Sequence, residues 1–217
     1  MPRGELCCDI IALMRQGRAA RRPRSRGKDR RGQIINMLPI SARSSEVDER
    51  LVPGHWEGDL IKGRRNQSAV GTLVERTSLF AVLAKMPSTQ SADCVTAISG
   101  VLERFDAALR LTLTYDRGRE MAADATLTEN TGVKVFFADP HSPWQRGINE
   151  NTNGLLREYL PKGTDLSVCS QEYLDRIAWQ PNTRPRKSLG WRCPIELFMP
   201  DTFDFHKYFT NLVALGA

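Results

Sequence analysis

The hydrophobic pattern changes its period along the chain, and these changes predict the secondary structure. Between residues 55 and 86, apolar positions alternate with polar ones or form short β-rich runs, which is typical of three strands joined by short turns. Residues 91–109 place apolar side chains three or four positions apart, as in an amphipathic helix. Two more predicted strands follow at residues 109–116 and 133–139, with a helical stretch near residues 119–130 between them.

This order of elements predicts the fold class. Consecutive strands joined by short turns favour antiparallel pairing, whereas strands alternating with helices favour right-handed crossovers and parallel pairing. We therefore expect an α/β fold with a mixed five-stranded sheet flanked by helices. The ribonuclease H-like arrangement has this order, although periodicity alone allows other α/β folds. The predicted organisation is a basic arm and linker over residues 1–53, a compact core over residues 54–200 and a tail over residues 201–217.

The positive charge is concentrated near the N-terminus. Residues 15–31 contain nine Lys and Arg and one Asp, while the whole chain has a net charge of +6, so the remainder is slightly acidic. A run of this kind is either a solvated, disordered segment or a nucleic-acid-binding arm. Because arginine binds phosphate through its forked guanidinium, we favour nucleic-acid contact through Arg21, Arg22, Arg24 and Arg26.

Composition excludes several other classes of protein. No apolar run approaches the roughly 18 residues of a membrane span, and the N-terminus does not resemble a signal peptide. The five cysteines form no C-x-x-C pair and the three histidines are scattered, so neither a disulfide framework nor a zinc site is indicated. We expect a cytoplasmic protein without a membrane partner, associated with the nucleoid.

Three carboxylates stand at positions where a metal site is plausible. Asp59 lies in the first predicted strand, Asp116 closes the fourth, and Glu150 begins the helix after the fifth. Acidic side chains brought together repel one another unless a cation compensates. Two Mg²⁺ ions roughly 3.5–4 Å apart would resolve this repulsion and serve in-line phosphoryl chemistry, and Mn²⁺ should substitute because it also accepts oxygen ligands.

The helix that carries Glu150 has a polar face suited to DNA. Helical geometry places Ile148 and Leu156 on the apolar side, and places Glu150 and Arg157 opposite, with Asn153 close to them. We predict that Asn153 and Arg157 contact DNA. The helix start is ambiguous, because Ser142 and Pro143 resemble a cap, whereas Gly147 would allow a mobile loop over residues 141–147. We favour the loop.

A second basic patch lies near the C-terminal end of the predicted core. Arg184, Arg186 and Lys187 are read as DNA backbone contacts. In the first strand, Glu57 shares a face with Asp59 and could be a further ligand, but a charge at the rim of the site is the favoured interpretation. Pro181 is predicted to interrupt a helix, since an interior proline costs about 3 kcal/mol.

Four segments together resemble a known family. They are "GHWEGDLIKG", "LTYDRGREM", "FADPHSPWQRGINENTNGLLREYLPKGTDLS" and "NTRPRKSLGW". They look like the DDE transposases of bacterial insertion sequences, of the IS-thirty type, over roughly residues 15–200. The resemblance implies a ribonuclease H-like core similar to that of retroviral integrases, two divalent metals, and Asp59, Asp116 and Glu150 as their ligands.

The resemblance also implies an activity. Such enzymes cleave at the ends of the element and transfer the resulting 3′-hydroxyl into target DNA, so we expect double-stranded DNA as substrate and a homo-oligomer on that DNA. The chain departs from the family in two respects. Few residues precede Asp59 and no helix-turn-helix region is recognisable there, which suggests an N-terminal truncation, and Pro181 interrupts a helix that the family tends to continue. Two alternatives remain open: a ribonuclease H-like nuclease that does not join DNA, and a non-catalytic DNA-binding remnant.

Overall fold

A mixed five-stranded sheet forms the centre of the fold. The computed structural model describes Ile34 and residues 36–201. Within this part of the chain, the strands follow the spatial order β3-β2-β1-β4-β5. The strands are β1 (His55–Lys62), β2 (Ala69–Glu75), β3 (Ala81–Lys85), β4 (Thr112–Tyr115) and β5 (Lys134–Phe137).

Helices connect the strands and cover both faces of the sheet. The α-helices of the described residues are α1 (Glu46–Glu49), α2 (Ser91–Leu102), α3 (Asp124–Thr131), α4 (Gly147–Leu156), α5 (Gln171–Asn182) and α6 (Pro194–Phe198). Short 3₁₀ turns occur at Ile40–Ala42, Arg64–Asn66, Ala107–Leu109, Arg119–Met121, Pro143–Arg146 and Lys187–Leu189. None of the described helices has the length and apolar character that a membrane crossing needs.

The pairing of the strands follows the sequence-based expectation. β1 pairs with β2 and β2 pairs with β3 in antiparallel fashion, whereas β4 runs parallel to both β1 and β5. The first three strands are joined by short turns, which suffice for antiparallel neighbours, and the parallel strands are reached through helical crossovers. The predicted mixed five-stranded sheet is therefore confirmed.

The two faces of the sheet pack against different helices. On one face, Trp56 and Leu60 of β1 belong to a buried cluster that includes Leu102 of α2 and Leu127 of α3. On the other face, Ile61 clusters with side chains of the later helices, among them Leu156 and Leu174. Because side chains alternate along a strand, Glu57 and Asp59 share the face of Ile61, which is the side covered by α4 and α5.

The segment before β1 packs on the sheet from residue 38 onwards. The Phe137 amide donates a hydrogen bond to the Leu38 carbonyl oxygen at 2.8 Å, and Arg43 donates to the Thr114 hydroxyl at 2.7 Å. Val47 of α1 is buried. Part of the segment that the sequence suggested as a linker is thus integrated into the fold next to β4 and β5.

The prediction that Pro181 interrupts a helix is wrong. Helix α5 continues through this proline to Asn182 and then ends. A proline so close to the C-terminal end removes a single helical hydrogen bond instead of breaking the helix in its middle. The end of the helix is also fixed to β3, because the Asn182 side chain accepts from the Ala81 amide and donates to the Ala81 carbonyl oxygen, both at 2.8 Å.

Candidate active site

The parallel pairing of β1 with β4 places two aspartates side by side. Glu57 is the register partner of Thr114, so Asp59 and Asp116 lie level two positions further along the two strands. β4 ends at Tyr115, and Asp116 therefore begins the loop that leaves the sheet. The two side chains are 26% and 31% exposed, which leaves both carboxylates partly accessible to a ligand.

Backbone and side-chain donors fix the orientation of these carboxylates. Oδ1 of Asp59 accepts from the Leu60 amide at 2.8 Å, and its Oδ2 accepts from Nδ2 of Asn153 at 3.1 Å. Oδ1 of Asp116 accepts from the Gly118 amide at 2.9 Å. Each carboxylate is thus held by a donor that does not depend on the other carboxylate, as a preorganised site requires.

A guanidinium group lies between the two aspartates. Nη1 of Arg146 is 3.7 Å from Oδ1 of Asp59, and its Nη2 is 3.5 Å from Oδ2 of Asp116. The same side chain donates a hydrogen bond to the Gly58 carbonyl oxygen at 3.0 Å and is only 11% exposed. The site therefore accommodates the positive charge of Arg146 at a position that both carboxylates face.

The charge environment favours a cation at this position. Burial raises the pKa of the Asp59 carboxyl above its usual value, and the neighbouring charges of Asp116 and Glu120 act in the same direction. Arg146 and the Leu60 amide lower the pKa of Asp59 in opposition. A carboxylate destabilised by burial and by like charges gains most from a bound cation, because the cation offsets both effects.

Gly58 and the buried Tyr115 pack closely against each other next to the two aspartates. A Cβ atom at Gly58 would lie 2.6 Å from the Tyr115 ring, so only glycine permits this close packing between β1 and β4. Tyr115 is fully buried, and this burial raises the pKa of its phenol well above the usual value. The phenol therefore remains neutral beneath the aspartates, while its ring fills the core next to Asp116.

Helix α4 is fastened to the sheet by Asn149. Its Nδ2 donates to the carbonyl oxygens of Glu57 at 2.7 Å and Thr72 at 3.2 Å, and its Oδ1 accepts from the Thr72 hydroxyl at 3.0 Å. The Asn149 amide also donates to Oε2 of Glu57 at 3.0 Å. Because α4 also carries Asn153 and follows directly after Arg146, these bonds position both residues at the aspartates.

The donor set is suited to a divalent metal ion. Carboxylate oxygens are preferred ligands of Mg²⁺ and Mn²⁺, and the position of the Arg146 guanidinium shows that a cation fits between Asp59 and Asp116. Over Ile34 and residues 36–201, no group of three or more His, Cys, Asp or Glu side chains is close enough to hold an ion. Asp59 and Asp116 are adjacent carboxylates that share Arg146, and their role as metal ligands stays a prediction.

Comparison with known proteins shows which proteins this chain is similar to. The profile of the Integrase core domain family matches residues 49–143. The transposase for insertion sequence element IS1086 of Cupriavidus metallidurans is 61% identical over 90% of this chain and 58% of its own length. Transposase InsI for insertion sequence element IS30A of Escherichia coli is 44% identical over 85% of this chain and 47% of its own length. Over most of its own length, the chain is similar to transposases of the IS30 type.

The fold of this chain is similar to that of retroviral integrase cores. The catalytic core domain of BIV integrase superposes with a TM-score of 0.50 at 18% sequence identity, covering 72% of this chain and 98% of that domain. The predicted ribonuclease H-like fold is thus confirmed. The chain spans about half of the length of the curated relatives described above.

The three predicted metal ligands of the chain lie in two different environments. Asp59 and Asp116 are adjacent and share Arg146, as described above. Glu150 is exposed in the first half of α4, and the residue of this helix that contacts Asp59 is Asn153. The assignment of Glu150 as the third ligand stays a prediction.

The predicted DNA contacts differ in how far their side chains are engaged within the chain. Asn153 donates to Asp59, and Arg157 donates to the carbonyl oxygens of Leu160 at 3.3 Å and Lys62 at 3.0 Å. These contacts give both residues a role in holding the site together. The arginines of the basic arm, Arg21, Arg22, Arg24 and Arg26, lie outside the described residues.

The second basic patch borders two surface cavities. Arg184 and Lys187 are exposed, and Arg186 is partly buried, with its Nη2 donating to the Pro181 carbonyl oxygen at 3.2 Å. Arg184 lines a pocket of about 350 Å³, Lys187 lines an open groove of about 810 Å³, and Arg186 borders both. The role of these three residues in DNA binding stays a prediction.

The loop predicted over residues 141–147 is wrong in its central part. Pro143–Arg146 forms a 3₁₀ turn, and α4 follows at once from Gly147. The side chain of Ser142 makes no capping hydrogen bond, whereas Gln145 is bound to Asp139 through a side-chain hydrogen bond of 3.0 Å. This turn is what directs Arg146 to the aspartates.

Sequence reasoning misassigned Glu57 and missed two neighbours. Glu57 is not a rim charge, because it is 1% exposed, forms an ion pair with Arg76 and accepts from the Asn149 amide. Burial raises the pKa of the Glu57 carboxyl, while Asn149 and Arg76 lower it. Arg146 and Asn149 were quoted in the sequence motif, but nothing in their spacing shows that they point to the sheet.

Proposed function

We propose that this chain catalyses metal-dependent cleavage at the ends of an insertion sequence and transfers the cleaved strand into target DNA. The observation that supports this proposal is the pair of oriented, partly exposed aspartates where β1 meets β4. The positively charged guanidinium of Arg146 lies between their carboxylates. The names of the relatives, which are insertion-sequence transposases, support the same reaction.

Asp59 and Asp116 would hold the metal, and Glu150 would complete the ligand set. Bound there, divalent ions would supply the activation of the attacking hydroxyl and the stabilisation of charge on the phosphate. We propose Mg²⁺ as the natural ion, with Mn²⁺ as an effective substitute because both prefer octahedral oxygen ligation. The contribution of the chain is to orient the carboxylates through Leu60, Asn153 and Gly118.

The open groove next to α4 is the proposed path for a DNA strand. It has a volume of about 810 Å³ and is bordered by Arg50, Arg186 and Lys187 together with the exposed Asn151 and the start of α4. Three basic side chains along one groove suit a phosphate backbone, whose charge supplies most of the sequence-independent affinity for DNA. The arginines of the basic arm would add to this term.

Two further properties belong to the proposal. Joining both ends of an element needs two active sites, so we propose that the chain works as a homo-oligomer on double-stranded DNA. Its substrate would place it at the nucleoid in the cytoplasm.

The test is a cleavage and joining assay with the full chain. A labelled duplex carries the terminal sequence of the element, either intact or with its 3′-hydroxyl already exposed, and a supercoiled plasmid serves as target. We expect joined products in Mg²⁺ and in Mn²⁺, no products in chelator, and DNA binding without appreciable chemistry in Ca²⁺.

Two results would contradict the proposal in different ways. Hydrolysis of the duplex without any joining of the pre-exposed end would show a nuclease. Binding of DNA without either reaction in any metal would show a non-catalytic DNA-binding chain. A duplex of equal length with a scrambled terminal sequence is the matched control for end recognition.

A further inference from the structure

Arg146 occupies the position that a metal ion would need. Its guanidinium faces Asp59 and Asp116 at the same time, and each of these residues is a proposed metal ligand. A divalent cation entering between the aspartates would be repelled by this guanidinium unless the side chain moved away.

The contacts between the Arg146 guanidinium and the two carboxylates are long. Its distances of 3.7 and 3.5 Å to the carboxylate oxygens exceed the ~2.7–2.9 Å of a charge-assisted hydrogen bond. The hydrogen bond that the guanidinium does make, at 3.0 Å, is to the Gly58 carbonyl oxygen. Arg146 therefore balances the charge of the pair without forming the tight fork that would resist exchange.

The carboxylates do not depend on Arg146 for their orientation. The Leu60 amide and Asn153 hold the Asp59 carboxylate, and the Gly118 amide holds that of Asp116. Removal of the guanidinium would thus leave both ligands in place, and would mainly uncover their negative charge. This separation of roles makes the effect of Arg146 on metal affinity measurable on its own.

We propose that Arg146 is a built-in counter-ion that competes with the divalent metal for the Asp59–Asp116 pair and keeps the metal affinity of the DNA-free chain low. This inference rests on the proposed function, since it takes both aspartates to be metal ligands. Arg146 acts on the metal only through the charge that it places beside these carboxylates, and is not itself a metal ligand. Its location at the end of the Pro143–Arg146 turn gives the side chain a fixed origin beside the site.

The experiment is a calorimetric titration of the full chain with Mn²⁺ in the absence of DNA. We expect Arg146→Gln to bind Mn²⁺ on the order of tenfold more tightly than the parent, because a unit positive charge is removed from within a few ångströms of the ion. Arg146→Lys should stay within about threefold of the parent, since the long contacts depend on charge and not on the fork of arginine.

Matched variants separate this effect from general ones. Arg117→Gln removes the same charge from a side chain that pairs with Asp139 at 3.2 Å, and should leave Mn²⁺ affinity unchanged. Thermal unfolding in chelator, followed by circular dichroism, checks that each variant is folded. If Arg146→Gln does not fold, Arg146→Met takes its place, because it also removes the charge and retains an unbranched apolar stem.

The outcomes distinguish this inference from the proposed function. Tighter Mn²⁺ binding by the neutral variant, with parent-like binding by Arg146→Lys and Arg117→Gln, supports the counter-ion. Equal or weaker binding by a folded neutral variant overturns it and leaves metal-dependent chemistry intact. Absence of Mn²⁺ binding at millimolar concentrations in the parent and all variants overturns the counter-ion and the proposed metal site together.

Discussion

Replacing Asp59 or Asp116 with asparagine is expected to lower both cleavage and joining by roughly a hundredfold to a thousandfold or more. Asparagine keeps the shape of the side chain and an oxygen that can still accept the Leu60 or Gly118 amide, but it removes the negative charge. Metal affinity should therefore fall while the fold persists. The measurement is the initial rate of product formation in saturating Mn²⁺, together with the thermal unfolding midpoint in chelator.

Asp175→Asn is the matched control for these two variants. Asp175 is exposed on α5 and accepts a hydrogen bond from Gln171 at 2.8 Å, so the substitution removes the same charge away from the paired aspartates. Its rates should equal those of the parent. Retention of parent-like rates by a folded Asp116→Asn variant would remove this residue from the reaction.

Replacing Asn149 with alanine is expected to destabilise the fold by about 2 to 4 kcal/mol. The substitution deletes the hydrogen bonds to the Glu57 and Thr72 carbonyl oxygens and to the Thr72 hydroxyl, and leaves these buried groups without their partner. A buried polar group left without a partner destabilises the fold by more than the net stabilisation that its hydrogen bond had contributed. Chemical denaturation of the full chain measures the change in the free energy of unfolding.

Asn151 provides the comparison for this prediction. It lies two residues further along α4 and is exposed, so Asn151→Ala should change the free energy of unfolding by less than about 0.5 kcal/mol. Asn149→Ala should also lower the rate of joining, since α4 would lose its anchor and Asn153 would no longer orient the Asp59 carboxylate. Equal stability of the two variants would show that Asn149 is not the anchor of α4.

The fold could be predicted from the sequence because its signals are local. Alternation in β1, the short turns between β1, β2 and β3, and the 3.6-residue period of α2 each specify an element and its neighbours. The two aspartates followed from the same reasoning, since their positions on predicted adjacent strands can be counted. Their alignment in the structure comes from the parallel register of β1 with β4.

The parts that were predicted wrongly depend on contacts between distant residues. Glu57 looked like a rim charge because its partner Arg76 follows the next strand and Asn149 lies 92 positions away. Pro181 looked like a helix breaker because the sequence does not show that Asn182 fixes the helix end to β3. In both cases a tertiary hydrogen bond outweighs the local preference.

Arg146 shows the same limit at the site itself. In the sequence it is one basic residue before a helix. Pro143 favours a helical start around it, whereas Gly147 favours a loop, so the sequence does not decide its local structure. The 3₁₀ turn over Pro143–Arg146 and the close approach of α4 to β1 bring its guanidinium to the aspartates. The charge balance of the site was therefore visible only in three dimensions.

Cleavage of the polypeptide by bound iron tests most directly whether Asp59 and Asp116 hold a divalent metal ion. Fe²⁺ accepts the same oxygen ligands as Mg²⁺ and, with ascorbate and peroxide, generates radicals that cut the chain close to the ion. We predict cuts next to Asp59, Asp116 and Glu150 that excess Mg²⁺ suppresses and that Asp59→Asn removes. A cutting pattern that spares the first two positions, or that excess Mg²⁺ leaves unchanged, would contradict the account.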